Sequence, residues 1–304
     1  NLLLILRALL MSRHFFVLIN PRSGRGQSQK IGKKVATFFR LHKIKFAVFE
    51  TRNDCRGAQT VEKNLTLNYT DLMIIGGDGT INEAINGLKL DLPVSFIPSG
   101  SGNDFVKNLR IGSTLEIQLD TALHGPITRI DIGLCNDRKF INGMGIGFDG
   151  QIAADMIHRK VPFLSGQLKY YYHVLHILGS YKYRDFDLTI DQVPQRQNLI
   201  LLTVANGTTF GGGFKLTPHA KLNDGKLSIC AIGNLSPLQR YLKVLTLQKG
   251  SHHRLKEVSL FDAKEISIGE NQQLEAHIDG EYFNQPPFTI SILPSALQIR
   301  AFLF

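Results

Sequence analysis

Apolar positions change their period along the chain, and the change divides it in two. Residues 15–19 form a continuous apolar run ending at a turn, which predicts a strand buried on both faces. Over residues 28–41 the spacing becomes helical. Ile31, Val35, Phe38 and Phe39 fall on one side, with Lys30, Lys33, Lys34 and Arg40 on the other. Further strands are predicted at 46–49, 72–75 and 94–97, and helices at 57–67 and 82–88. Strands alternating with helices imply parallel pairing in a doubly wound α/β sheet. Ligands of such sheets bind beyond the carboxyl ends of the strands, where this chain carries three Gly-rich loops.

After Pro126 strand-like runs dominate, at 140–142, 186–190, 199–205, 227–232, 265–268, 274–278 and 288–293. Helical spacing is clearest at 150–158, 164–178 and 238–247. This predicts a second, mainly antiparallel β domain, with domains at 11–125 and 126–292.

Charge narrows the partners. Lys and Arg outnumber Asp and Glu by 35 to 25, a net +10. That excess fits an anionic partner, whether a nucleotide, nucleic acid or an anionic membrane surface, or else a basic solubility surface. No nucleic-acid recognition motif is present, so nucleic acid is not expected as a partner. The three cysteines, Cys55, Cys135 and Cys230, are far apart and match neither a disulfide framework nor a zinc spacing, as in a reducing compartment. The apolar start at 2–10 is interrupted by Arg7 and is short of the roughly 20 residues that span a bilayer. Met11 reads as a true start and residues 1–10 as an upstream extension. A short amphipathic membrane anchor is the alternative.

The loops carry the candidate chemistry. Gly76, Gly77, Asp78, Gly79 and Thr80 follow the 72–75 strand directly, and their glycines leave room for phosphate to approach the backbone. Asp78 would repel a phosphate, so it suits a cation, a ribose or a water network, or else simply caps a helix. Asn20, Pro21, Arg22, Ser23, Gly24, Arg25 and Gly26 follow the first strand without the spacing of a Walker loop. Residues 98–104 follow the fourth strand with hydroxyls and backbone N–H groups. Residues 76–80 point to a ligand site even alone, residues 20–26 are a weak signal and residues 98–104 also read as an ordinary tight turn; three such loops at one sheet edge read as a phosphate site.

In their order and spacing these motifs resemble the diacylglycerol kinase catalytic domain. The domain is shared by bacterial diacylglycerol kinases, YegS-like lipid kinases and, more distantly, sphingosine and ceramide kinases. Asn20–Gly24 reads NPxSG, residues 76–83 GGDGTxNE, and residues 98–105 PSGSGNDF. The resemblance continues through 130–133, 142–149, 206–218, 224–227 and 279–281, and so covers the chain from about Arg13 to its end.

The resemblance implies a nucleotide-binding α/β domain followed by an antiparallel β-sandwich-like domain, with 293–304 returning to the first. It implies a kinase that moves the γ-phosphoryl group of ATP to a lipid hydroxyl. ATP contacts would fall on Asn20, Pro21, Arg22, Ser23, Gly24, Thr51, Gly76, Gly77, Asp78, Gly79, Thr80, Asn82 and Ser101, the last standing where the family often has Thr. Asp279 matches the family's general base, with Glu281 near the nucleotide and Asp78 beside the catalytic chemistry. Taken alone, Asp279-Gly280 reads as a hairpin turn. Residues 221–226 resemble the family's Mg²⁺ loop, implying ligands from the Asp224 carboxylate and the Lys221 and Lys226 carbonyls, with Asp131 linking this ion towards Asp78 through water. Some members carry a carboxylate where Lys221 stands.

Three function readings follow. The first is an Mg·ATP-dependent lipid kinase, most simply converting diacylglycerol to phosphatidic acid, cytoplasmic and peripheral at the inner face of an anionic membrane. The others are a small-molecule kinase of the NAD-kinase type and a non-catalytic lipid-binding protein. Oligomeric state stays open, a homodimer included. Elsewhere, His173 and His176 share a helical face without a third ligand, and His252-His253 reads as solvated. The Tyr170–Leu178 stretch reads as core, with Arg159, Lys160 and Lys169 making a membrane-facing edge conceivable.

Overall fold

The computed structural model describes residues 12–52, 56–159, 161–164, 166–269 and 274–304. Cys55, Lys160 and the 1–10 extension lie outside them. The described residues form two compact units, one within 12–130 together with 296–304 and the other within 131–295. The cuts fall a few residues beyond 125 and 292, inside the strands Ile127–Cys135 and Phe288–Arg300.

The first unit contains, in order, β1 (His14–Ile19), α1 (Gln27–Leu41), β2 (Lys45–Glu50), α2 (Gly57–Asn64), β3 (Asp71–Gly76), α3 (Asp78–Gly87), β4 (Val94–Pro98), β5 (Leu109–Arg110) and α4 (Leu115–His124). Strand β6 (Ile127–Cys135) crosses into the second unit. There follow β7 (Arg138–Phe140), β8 (Gly143–Gly147), α5 (Phe148–His158), α6 (Gln167–Leu178), β9 (Arg184–Ile190), β10 (Val193–Leu199), β11 (Leu201–Ala205), β12 (Leu227–Ile232), α7 (Pro237–Lys249), β13 (Val258–Ala263), β14 (Glu265–Ile268), β15 (Ala276–Ile278) and β16 (Glu281–Tyr282). Strand β17 (Phe288–Arg300) starts in the second unit and ends in the first, followed by β18 (Phe302–Leu303).

In the first unit the strands run β4-β3-β1-β2, all parallel, and the last residues of β17 add a further parallel neighbour at Ile299↔Val94. Parallel strands covered on both faces are apolar throughout, and every residue of β3 is buried. Phe15, Val17 and Ile19 pack with Val35 and Phe39 of α1, while the Phe16 ring stacks on Phe49 at 4.1 Å. A charged cluster fixes the returning strand. Arg13 grips the buried Asp71 carboxylate, with its Nε at 2.8 Å, and Arg300 donates to the same carboxylate at 3.4 Å. Arg300 also donates to the Gly125 carbonyl at 3.1 Å.

The second unit is built from antiparallel pairs. One sheet runs β13-β12-β11-β8-β15-β16, and β10-β9-β14 continue onto β17. Met144, Ile146, Leu202, Val204, Ile266 and Ile290 lie in one core of this unit. The helices α5, α6 and α7 contribute to a second core with Ile200, Leu201 and Cys230.

Candidate nucleotide and catalytic sites

The three glycine loops of the first unit leave β1, β3 and β4, and they are tied to one another. From the first loop, the Asn20 side-chain amide donates to the Thr80 hydroxyl at 3.1 Å, and the Asn20 N–H donates to the Ile75 carbonyl at 3.2 Å. The buried hydroxyls of Ser28 and Ser99 meet at 2.6 Å and join the first turn of α1, just after the first loop, to the third loop. Gly24 sits at φ 58°, and a Cβ there would lie 2.0 Å from the Ser99 carbonyl oxygen, so this close crossing demands glycine. The second and third loops touch at Gly77 and Gly100, where a Cβ on Gly100 would come within 2.7 Å of the Gly77 Cα. A phosphate cradle needs backbone this close and this bare, with a helix N-terminus behind it. Gly76 to Thr80 supplies one, because α3 begins at Asp78.

That start corrects the expectation of a helix beginning at 82. Gly77 is the cap, and Asp78 is the first helical residue. Its carboxylate accepts the Phe105 N–H at 3.1 Å, and so holds the exit of the third loop. Asn103, at φ 50°, braces the same loop: its side-chain oxygen accepts the Gly100 N–H at 3.0 Å and its amide donates to the Gly100 carbonyl at 2.8 Å.

The remaining residues of the first unit fall into two groups. Arg22 and Ser101 are exposed at their loops, while Pro21, Ser23 and Thr51 are half-buried. The Thr51 N–H is tied to the Ile19 carbonyl at 2.9 Å, next to the first loop. Asn82 is buried in α3, where its backbone carbonyl accepts the Asn86 amide at 2.9 Å. Glu83, the last residue of the GGDGTxNE run, accepts the Gly57 N–H at 2.7 Å and caps α2.

In the second unit, Asp279-Gly280 is the two-residue turn between β15 and β16, with Ile278 paired to Glu281. Both turn residues have positive φ, 47° and 84°, as in a type I′ hairpin turn. The hairpin geometry and a specialised carboxylate coexist here. Asp279 accepts backbone N–H groups from Ile141 at 2.9 Å, Asn142 at 3.0 Å and Gly143 at 2.8 Å. Three N–H groups aimed at one carboxylate fix its plane. Glu281 is ion-paired to Arg138. The buried His277 accepts the Gly280 N–H on Nδ1 at 3.2 Å, which leaves the proton on Nε2, 3.6 Å from the Asp149 carboxylate.

Lys221, Asp224 and Lys226 share an exposed turn. Asp224 accepts the Lys226 N–H at 3.1 Å. Asp131 is buried and clamps the turn from below, accepting the Gly225 N–H at 2.7 Å on one oxygen and the Ser295 N–H at 2.7 Å on the other. Among the described residues no group of three or more His, Cys, Asp and Glu is placed to hold a metal. A set of one carboxylate and backbone carbonyls is made of hard oxygen donors, which fit Mg²⁺ by type.

Two other expectations change. His252 is fully buried, with Nε2 at 2.9 Å from the Leu216 carbonyl, rather than solvated. The Tyr-rich helix is core on one side only: Val174, Ile177 and Leu178 are buried, whereas Leu168, Tyr172 and Leu175 are exposed. His173 is buried against Asp155 at 2.7 Å, while the exposed His176 stacks on Tyr172. The second unit also encloses an apolar cavity of about 70 Å³ between α6, α7 and the sheet. That is far below the roughly 300–1,000 Å³ of pockets that bury a drug-sized ligand.

Residues 14–135 match the diacylglycerol kinase catalytic domain, and residues 143–301 match the YegS C-terminal NAD kinase beta sandwich-like domain. A diacylglycerol kinase of Bacillus subtilis (strain 168) is 31% identical over 281 residues, covering 89% of this chain and 90% of that protein. The fold is shared with a crystal structure of a diacylglycerol kinase from Bacillus anthracis str. Sterne at a TM-score of 0.71 and 19% identity, covering 95% of this chain and 97% of that one. It is shared more loosely with an NAD kinase from Archaeoglobus fulgidus in complex with ATP, at a TM-score of 0.51 and 16% identity, covering 96% and 93%. The chain therefore belongs to the diacylglycerol kinase catalytic-domain family, and is an ATP-dependent lipid kinase.

Proposed function

We propose that this kinase phosphorylates the free hydroxyl of diacylglycerol to give phosphatidic acid, working at an anionic membrane surface. The observation that carries the phosphoryl-transfer half is the interlocked cradle of Gly24, Gly77 and Gly100, whose bare backbone suits the phosphates of ATP. The choice of diacylglycerol as acceptor is supported by relatives that carry the name diacylglycerol kinase.

Phosphoryl transfer rests mainly on positioning and on stabilising charge. In this reading Asn20, Ser23 and Gly24 hold one side of the phosphates, and Gly76–Thr80 at the α3 N-terminus the other. Thr51 and Ser101 border the nucleotide. Asp279 accepts the proton of the attacking hydroxyl, its carboxylate held in a fixed plane by three N–H groups. Glu281 acts beside it while paired to Arg138. The Asp224 carboxylate, with the Lys221 and Lys226 carbonyls, would hold Mg²⁺. A bound Mg²⁺ supplies neutralisation of negative charge.

The test offers radiolabelled ATP and a panel of acceptors in mixed micelles: diacylglycerol, monoacylglycerol, phosphatidylglycerol, sphingosine, ceramide and undecaprenol. Diacylglycerol is expected to be labelled fastest. Faster labelling of any other member would replace it as the acceptor.

A further inference from the structure

Helices α6 and α7 bury one side each and expose the other. On α6, Leu168, Tyr172 and Leu175 follow each other by four and three residues, and so form one stripe. On α7, Leu238, Leu242 and Leu245 repeat that spacing, with Tyr241 beside them. Exposure of these side chains runs from 37% at Tyr172 to 70% at Leu242. The stripes meet, because the Tyr241 hydroxyl donates to the Leu175 carbonyl at 3.1 Å. Behind them the helices are locked. The buried Arg240 donates to the Leu178 carbonyl at 3.0 Å and to the Leu235 carbonyl at 2.9 Å, tying the end of α6 to α7. Soluble proteins rarely leave so much contiguous apolar surface without a partner for it.

Charge identifies the partner. Residues 156–184 and 225–256 contain no Asp or Glu, in a chain that has 25. Lys169 and Lys249 lie on the two helices, and the exposed Lys182 and Arg184 follow α6. Lys243 is neutralised by Glu257 at 3.0 Å, and Arg159 faces Asp155 at 3.5 Å. A second copy of this face would bring cations against cations. An anionic bilayer offers apolar depth for the leucines and negative headgroups for the lysines.

We infer that the α6–α7 face is the surface by which this protein docks on an anionic lipid bilayer, with Leu168, Leu242 and Leu245 entering the interface and Lys169, Lys182, Arg184 and Lys249 meeting the headgroups. The inference rests on the reading that the acceptor is a lipid held in a membrane, and the test separates the two.

The test compares the full chain with Leu168→Gln/Leu242→Gln/Leu245→Gln. All three positions are exposed, so the fold has no reason to change. Sedimentation with phosphatidylcholine vesicles, with and without phosphatidylglycerol, is followed over a range of NaCl. Binding is expected to need phosphatidylglycerol, to fall with salt, and to drop by roughly tenfold for each leucine replaced. Phosphorylation of diacylglycerol dispersed in detergent micelles should be the same for both proteins. Undiminished vesicle binding by the variant would overturn the inference. So would a switch from dimer to monomer, by analytical ultracentrifugation, with vesicle binding unaltered; the face would then join two copies. If the variant loses vesicle binding while neither protein phosphorylates any lipid, the docking face stands and the acceptor reading fails.

Discussion

The Phe105 N–H donates to the Asp78 carboxylate across 3.1 Å, so the acidic residue of the second glycine loop also sets the exit of the third. Phe105 is fully buried. Removing its acceptor strands a buried donor, a loss of about 1–3 kcal/mol. Asp78→Ala should therefore lower the thermal midpoint and raise the KM for ATP together. Asp78→Asn keeps an oxygen for Phe105 and should recover the midpoint while ATP use stays impaired. Unfolding scans beside ATP titrations would show it. Wild-type midpoints in both variants would mean that the contact adds nothing to stability.

At Asp279 the expectation is a loss of rate with little loss of structure. Asn tolerates the φ of 47° and keeps one oxygen for the Asn142 and Gly143 N–H groups, but its amide then faces the Ile141 N–H. Turnover of Asp279→Asn should fall by about 10²–10⁴, the usual worth of a general base. ATP affinity, which the loops of the other unit provide in our reading, should hold. Steady-state kinetics with equilibrium nucleotide binding checks both, and near-normal turnover would remove Asp279 from the role of base.

How much of this could be read from the chain depended on distance along it. The parallel strands were legible because β1 and β3 are continuous apolar runs, and the cradle because glycines crowd the ends of those strands. The locks between loops were not. Ser28 and Ser99 are 71 residues apart, Asn20 and Thr80 are 60 apart, and Arg300 reaches Asp71 across 229. Nothing local marks such pairs. Strand β10 carries no apolar signal in the sequence for another reason: it is an edge strand, so Pro194 and the polar residues around it meet no burial requirement. Helix α4 did leave signals. Thr114 caps it, with its hydroxyl accepting the Ile117 N–H at 3.4 Å, and Gly125-Pro126 ends it. Buried His252 looked like its solvated neighbour because a His-His pair in a basic stretch carries no periodicity.

The turn at Asp224 predicts a metal effect separable from catalysis. If its carboxylate holds Mg²⁺, the wild-type thermal midpoint should climb with Mg²⁺ concentration, since a ligand that binds only the folded state stabilises it. Asp224→Ala should flatten that rise and need more Mg²⁺ for half-maximal activity. Asp78→Ala should keep the rise, because Asp78 belongs to the other unit. Equal Mg²⁺ dependence of the midpoint in wild type and Asp224→Ala would place the ion elsewhere.

His252 should make the stability of the second unit depend on pH. Burial pushes its imidazole below the ordinary 6.5, and the neighbouring His253 and His219 push the same way, against the pull of the Leu216 carbonyl. In the folded chain the ring therefore stays neutral at a pH where the unfolded chain has already taken up its proton. Above about pH 6.5 both states carry a neutral ring, and His252 adds no slope. As the pH falls below that value, only the unfolded state gains the proton, so stability drops until the folded-state value is reached. The slope from one such group is at most about 1.4 kcal/mol per pH unit. His252→Gln keeps a donor for the Leu216 carbonyl and removes the titration. Urea midpoints between pH 7.5 and pH 5 should fall more steeply for the wild type than for the variant, and the difference between the two cancels the contributions of the other histidines. Parallel slopes would show that His252 takes up its proton equally in both states, and that its burial does not oppose the charge.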